Sequence, residues 1–231
     1  MAPANPVGAC GHTGEVRAPV IERARPSRWR ARPGQLAMLL PGLVLFGVGD
    51  AFVVASELGN APWTVLAQGV SLHTPLTIGV ATQVIGALVL LGWLPLRERP
   101  GLGTVLNVVI IGLAIDATLA ALPDLHGYAT RTVALLAGVA IVGIGSGFYL
   151  SADLGPGPRD GLMTGLHRRR GWPIVRVRLG IELTVLVAGA ALGGTVGLGT
   201  VLFALLIGPA VGAGLRAVGA RGARVPATSE P

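Results

Sequence analysis

Three acids sit inside stretches of sequence that are otherwise almost free of charge: Asp50, Asp116 and Glu182. An ionisable group in hydrocarbon is costly and by default marks a substrate or ion pathway. Asp50 and Asp116 can carry a coupling proton or cation, because desolvation raises a carboxyl pKa toward neutrality. Each also has a structural reading, as a cap on a backbone kink or a group facing water near a span end. Glu182 has Arg178 one turn earlier as a ready partner. A second set lies in loops. Glu57 in ELGNAP and Asp153 in DLGPGP both precede Leu-Gly, and Pro62 and Pro158 then open a short helix. Gly59, Gly155 and Gly157 let the chain reverse sharply. The N–H groups exposed at Pro158–Arg159, with the planar donor fork of Arg159, suit an anionic solute or lipid. The competing reading is a structural turn in which Arg159 pairs with Asp153 or Asp160.

Other chemistries are excluded more directly. The chain has no lysine, so Schiff-base catalysis is closed to it, and its one cysteine, Cys10, precedes the first apolar run. His73 and His126 lack metal-ligand spacing, and no metal or cofactor is expected. Gly47-Val48-Gly49-Asp50 spells the GxGD of intramembrane aspartyl proteases, with Asp116 as a second acid. In those enzymes the partner aspartate lies on an earlier span, and here none does. The chain is expected not to be an enzyme.

The elements that must position these residues belong to a membrane. Apolar residues make up 52% of the 231-residue chain and charged residues 13%, about half the charged share of a soluble domain. Apolar runs predict spans at about 36–55, 76–95, 102–122, 132–151, 174–192 and 198–217. Two shorter stretches, 62–72 and 158–167, suit interfacial or re-entrant helices. The net charge of +7 comes entirely from arginine. In a six-span arrangement with both ends inside, 17 of the 18 arginines fall on one side. That is an orientation signal rather than a nucleic-acid surface, and it places both termini in the cytoplasm of a bacterium with the spans in its inner membrane. Residues 1–34 and 219–231 read as disordered polar tails.

The chain also repeats itself. GLGTVLNVVIIG at 101–112 returns as GLGTVLFALLIG at 197–208, and sliding 47–112 onto 143–208 without a gap gives 21 identities in 66. Each copy carries three spans, an odd number, so the second copy enters the membrane upside down. The predicted fold is an all-α polytopic membrane protein of six transmembrane helices in two inverted three-helix repeats, 35–122 and 123–218. Each repeat has a short helix after its first span. Asp50, Asp116 and Glu182 face Ser146, Gly212 and Gly86 in the repeat, so the acids are not duplicated.

At FGVGDAFVVASELGNAPWTVLAQGVSLHT, GLGTVLNVVIIGLAID and LGPGPRDGLMTGL the sequence resembles the YczE/YitT-type bacterial integral membrane proteins, over about residues 36–215. The resemblance implies a multispan bacterial membrane protein. It supplies no substrate and no catalytic residue. From the inverted repeat, the expected function is a small secondary transporter of a small molecule or ion, with a midplane site between the halves. The alternative is a non-catalytic accessory or lipid-binding protein. Membrane lipids are expected partners, nucleic acid is not, and a homo-oligomer is compatible with the pattern.

Overall fold

The computed structural model describes residues 28–219. Cys10 and the outer parts of the two expected tails lie outside the described residues. Among the described residues there are eight helices and no strand: α1 (Pro33–Ala55), α2 (Pro62–His73), α3 (Ile78–Leu96), α4 (Leu102–Ala121), α5 (Tyr128–Ser151), α6 (Pro158–Arg170), α7 (Ile174–Ala191) and α8 (Leu198–Ala217). Pro33, Pro62 and Pro158 each stand in the first turn of their helix, where the missing N–H leaves no bond unmade. α5 begins four residues before the apolar run, because Gly127 takes a left-handed φ of 83° and releases the chain into helix there.

Five helices, α1, α3, α4, α5 and α8, are long and apolar enough to cross a bilayer. α7 has 18 residues, about 27 Å at helical rise, but carries Arg176, Arg178 and Glu182. By composition it is therefore not a sixth such helix, in contrast to the sequence expectation. The outer helices leave large apolar side chains exposed, among them Leu91 and Leu94 on α3, Leu183 and Val187 on α7, and Leu205 on α8. A belt of this kind is stable only against hydrocarbon or a partner.

α1 and α5 form the centre and run antiparallel, because Gly42 meets Gly145 while Gly49 meets Gly138. A Cβ on Gly49 would lie 2.7 Å from the Gly138 carbonyl oxygen. Glycine lets the two backbones touch, and in lipid such close packing replaces the hydrophobic effect as the driving force. α4 packs on α1 where Gly47 meets Ala114, and α8 packs on α5 where Gly143 meets Ala210. α2 and α6 lie between α3 and α7.

The duplicated dodecamer has a mechanical role. Each GLGT opens a helix and docks on the Leu-Gly turn of the other half. Gly103 N–H donates to the Leu154 carbonyl at 3.0 Å, and Gly199 N–H donates to the Leu58 carbonyl at 2.8 Å. The Thr104 hydroxyl accepts from Gly101 N–H at 3.1 Å, and that of Thr200 accepts from Gly197 N–H at 3.3 Å. The receiving turns share one backbone shape. Glu57 and Asp153 take φ of 54° and 50°, and Gly59 and Gly155 take 120° and 121°.

One seam breaks the pattern. α3 lies along α4, with Gly79 against Gly112 and Gln83 Nε2 donating to the Val109 carbonyl at 2.8 Å. α7 and α8 have no comparable packing. Accordingly Gly180, Gly208 and Gly212 face open space.

Candidate functional site

The first turns of α2 and α6 meet in the interior, where the Arg159 guanidinium sits 5.3 Å from the centroid of the Trp63 ring. From there the two helices run to opposite ends of the molecule. His73, closing α2, lies 3.1 Å from the Leu192 carbonyl, and Arg168 near the end of α6 pairs with Glu98 at 2.7 Å. Trp63 and Arg159 are repeat equivalents, 96 residues apart.

Two cavities flank this pair. One, of about 40 Å³, is lined by Thr82 and Gly86 of α3 and by Asn107, Val108 and Ile111 of α4. The other, of about 290 Å³, is lined on its far wall by Arg178 and Glu182 of α7 and by Phe203, Ala204 and Ile207 of α8. Those five residues are the repeat equivalents of the first five, in the same order. Trp63, Asn107, Ile111, Pro158 and Arg159 border both. The two spaces are thus one feature built twice, small where α3 packs on α4 and large where α7 stands off from α8.

The large cavity holds the charges. Arg159 makes no hydrogen bond or ion pair among the described residues and lies within electrostatic reach of Asp50, Asp160 and Glu182. Asp160, an exposed residue that also lines the cavity, accepts from the Tyr149 hydroxyl at 3.2 Å. Arg178 and Glu182 form an i,i+4 pair at 2.9 Å. Trp63 is 8% exposed, and its indole N–H has no partner.

Of the residues singled out from sequence, Arg159, Glu182 and Gly157 line the large cavity. Asp50 stands just behind its wall, 2% exposed, with both oxygens accepting from the Thr64 hydroxyl at 2.9 and 3.1 Å. The others lie elsewhere. Asp116 reaches from α4 to the first turn of α3, where Thr77 is the N-cap: its carboxylate accepts from Gly79 N–H at 2.8 Å and from the Thr77 hydroxyl at 2.5 Å. Glu57 pairs with Arg131 at 2.6 Å in an exposed position. Asp153 is exposed in its turn, and Gly59 and Gly155 serve the docking of the dodecamers. Among the described residues Arg159 forms an ion pair with neither Asp153 nor Asp160 and lies over the Trp63 ring instead. Asp50 and Asp116 have separate partners and share no proton, so the GxGD motif builds no aspartyl dyad. Among the described residues no group of three His, Cys, Asp or Glu side chains converges as a metal site.

Sequence reasoning passed over Trp63, Thr64, Tyr149 and Asp160. A signal was present in the repeat alignment. Opposite PWT stands PRD, so two columns directly after a shared proline change from Trp to Arg and from Thr to Asp. A matched frame with unmatched polar contents is what a single asymmetric site requires.

A family model described as "Family of unknown function (DUF6198)" matches residues 34–215. An uncharacterised protein of Haemophilus influenzae is 43% identical over 188 residues, 81% of this chain and 86% of its own length. Two Bacillus subtilis proteins are also similar. The uncharacterised membrane protein YczE is 39% identical over 170 residues, 72% of this chain and 79% of its own. The uncharacterised protein YyaS is 25% identical over 171 residues, 72% of this chain and 85% of its own. No solved structure matches the chain.

Proposed function

The chain belongs to the YczE-type family of membrane proteins of unknown function (DUF6198), and from that premise we propose that it is a small secondary transporter rather than an enzyme. In this reading it crosses the bacterial inner membrane six times, as two inverted halves, with both termini in the cytoplasm. The short helices α2 and α6 are re-entrant half-helices. The observation that carries the reading is the pair of unequal, repeat-related cavities on either side of Trp63–Arg159. Inverted-repeat transporters expose one site alternately by exchanging the conformations of their halves. Here the exchange has a concrete form. α7 closes on α8 while α3 parts from α4, so the large cavity shrinks as the small one opens.

The antiparallel α1–α5 core supports the inverted arrangement. So does the grouping of loop contacts. Arg131–Glu57 and His73–Leu192 gather at one end, and Arg168–Glu98 and Gln35–Ala152 at the other. α7 counts as the sixth span because Arg178 and Glu182 neutralise one another and face the cavity rather than lipid. A charged pair lining an intramembrane cavity is the usual placement for such groups.

The test uses Phe203→Cys in a Cys10→Ser background. Vesicles of each orientation are treated with a membrane-impermeant thiol reagent. A transporter gives reaction from both faces, because position 203 is opened to each in turn. Reaction from one face only, at all times and temperatures, would exclude alternating access.

A further inference from the structure

We propose that the large cavity is a binding site for a small zwitterion, holding its anionic group on Arg159 and its ammonium group on Asp160. This inference rests on the cavity belonging to the transport path and adds the class of solute.

The argument starts from what the cavity leaves unmatched. Arg159 offers five N–H donors and meets only the face of Trp63, with no acceptor among the described residues. Beside it the Trp63 indole N–H is more than nine-tenths buried and has no partner. Buried donors of this kind destabilise the protein unless something accepts from them. A guanidinium fork without an acceptor on the cavity wall calls for an anionic oxygen pair such as a carboxylate or phosphate. On the same surface Asp160 receives a single hydrogen bond, from Tyr149, and has further acceptor capacity toward the cavity. A protonated amine is the group that fills it.

Electrostatics then decide between a single ion and a zwitterion. Arg178 and Glu182 already satisfy one another. The remaining lining charges, Arg159 and Asp160, are opposite in sign. A lone anion would satisfy Arg159 and be repelled by Asp160. A lone cation would meet the reverse. A ligand carrying both charges matches both sides of the cavity. The volume of about 290 Å³ is at the small end for ligand sites. Phe203, Ile207 and Val211 supply an apolar end for a hydrocarbon side group. An amino-acid-like solute has this chemistry, and so does an ethanolamine phospholipid headgroup entering through the open α7–α8 seam.

Thermal unfolding of the full-length protein in detergent is measured with three probes at equal concentration: L-leucine, leucinamide and 4-methylpentanoate. Leucinamide lacks the carboxylate and 4-methylpentanoate lacks the amine. In parallel the protein is placed in nanodiscs of phosphatidylethanolamine or phosphatidylglycerol. The free-solute arm expects leucine to bind roughly tenfold more tightly than either single-charge analogue. Arg159→Gln should erase the advantage over leucinamide, and Asp160→Asn the advantage over 4-methylpentanoate. The headgroup arm expects selective stabilisation by phosphatidylethanolamine that both variants remove. If Arg159→Gln does not fold, Arg159→Lys keeps the charge without the fork and should weaken binding in whichever arm responds. Stabilisation by a single-charge analogue equal to that by leucine, or none by leucine or by phosphatidylethanolamine, would overturn the proposal. The two-face labelling of Phe203→Cys needs no ligand. Reaction from both faces together with failed zwitterion binding would reject the solute class and leave transport standing.

Discussion

Asp50 and Asp116 look alike in the sequence, each a lone acid within an apolar run, yet the fold gives them different tasks. Asp116, on α4, receives the Gly79 N–H and the Thr77 hydroxyl, so alongside the Thr77 N-cap it serves as an auxiliary cap supplied to α3 from another helix. Its repeat equivalent on α8, Gly212, faces open space, which is why the second half has no such cap. Asp116→Ala should lower stability by about 1 kcal/mol, the usual scale of a lost N-cap. Thermal unfolding would show this, while two-face labelling of Phe203→Cys stays as in the parent. Asp50→Asn should behave in the opposite way. Asn keeps an acceptor for Thr64, so stability holds, but the charge facing Arg159 is gone and the labelling ratio between faces should shift. What the sequence could not reveal was depth. Position within an apolar run fixes how far along a span an acid lies, but not whether it faces a cavity or the neighbouring helix. The repeat columns came closer, since Trp63 opposite Arg159 and Thr64 opposite Asp160 mark where the halves differ.

Helix ends were legible to within four residues, because apolar runs bounded by Pro and Gly leave little choice in lipid, where every backbone group must bond within its own segment. The short helices α2 and α6 were legible as elements but not in depth, since a half-buried face suits both an interface and a re-entrant position. Their meeting at Trp63–Arg159 places their first turns in the interior. Glycine separates the packed seams from the open one. Gly49→Leu should prevent folding or cut expression sharply, because the new side chain meets the backbone of α5 at Gly138. Overpacking of this kind costs about 1–3 kcal/mol even where neighbours can shift, and here they are backbone atoms. Gly208→Leu meets nothing within 4 Å and should fold. The added bulk should hold α7 away from α8, so that Phe203→Cys in that variant reacts from one face only.

For the whole molecule, the duplication visible in the sequence accounts for most of the architecture. It accounts for the antiparallel α1–α5 centre, the reciprocal docking of each GLGT on the opposite turn, and two cavities with equivalent linings. The asymmetry between the α3–α4 and α7–α8 seams was not legible, because the repeat alignment shows which residues correspond and not which conformation each half adopts. Orientation has its own check. Thr74, just past α2, and Arg170, the last residue of α6, are exposed repeat equivalents, and single cysteines there should label from opposite faces of intact cells and inverted vesicles. Labelling of both from one face would contradict inverted halves.

The claim at the centre is that the open seam can close as its counterpart is closed now. Gln83 and Val109 touch across the α3–α4 seam, and their equivalents across the open seam are Leu179 and Leu205. Cysteine pairs at 83/109 and at 179/205, each in the Cys10→Ser background, are oxidised in membranes and followed by disulfide formation. The first pair should join quickly. The second should join more slowly but go to completion, because each closure of α7 on α8 is captured irreversibly. A 179/205 pair that stays reduced while 83/109 is fully joined would mean the seam does not close, and the transport mechanism would fail with it.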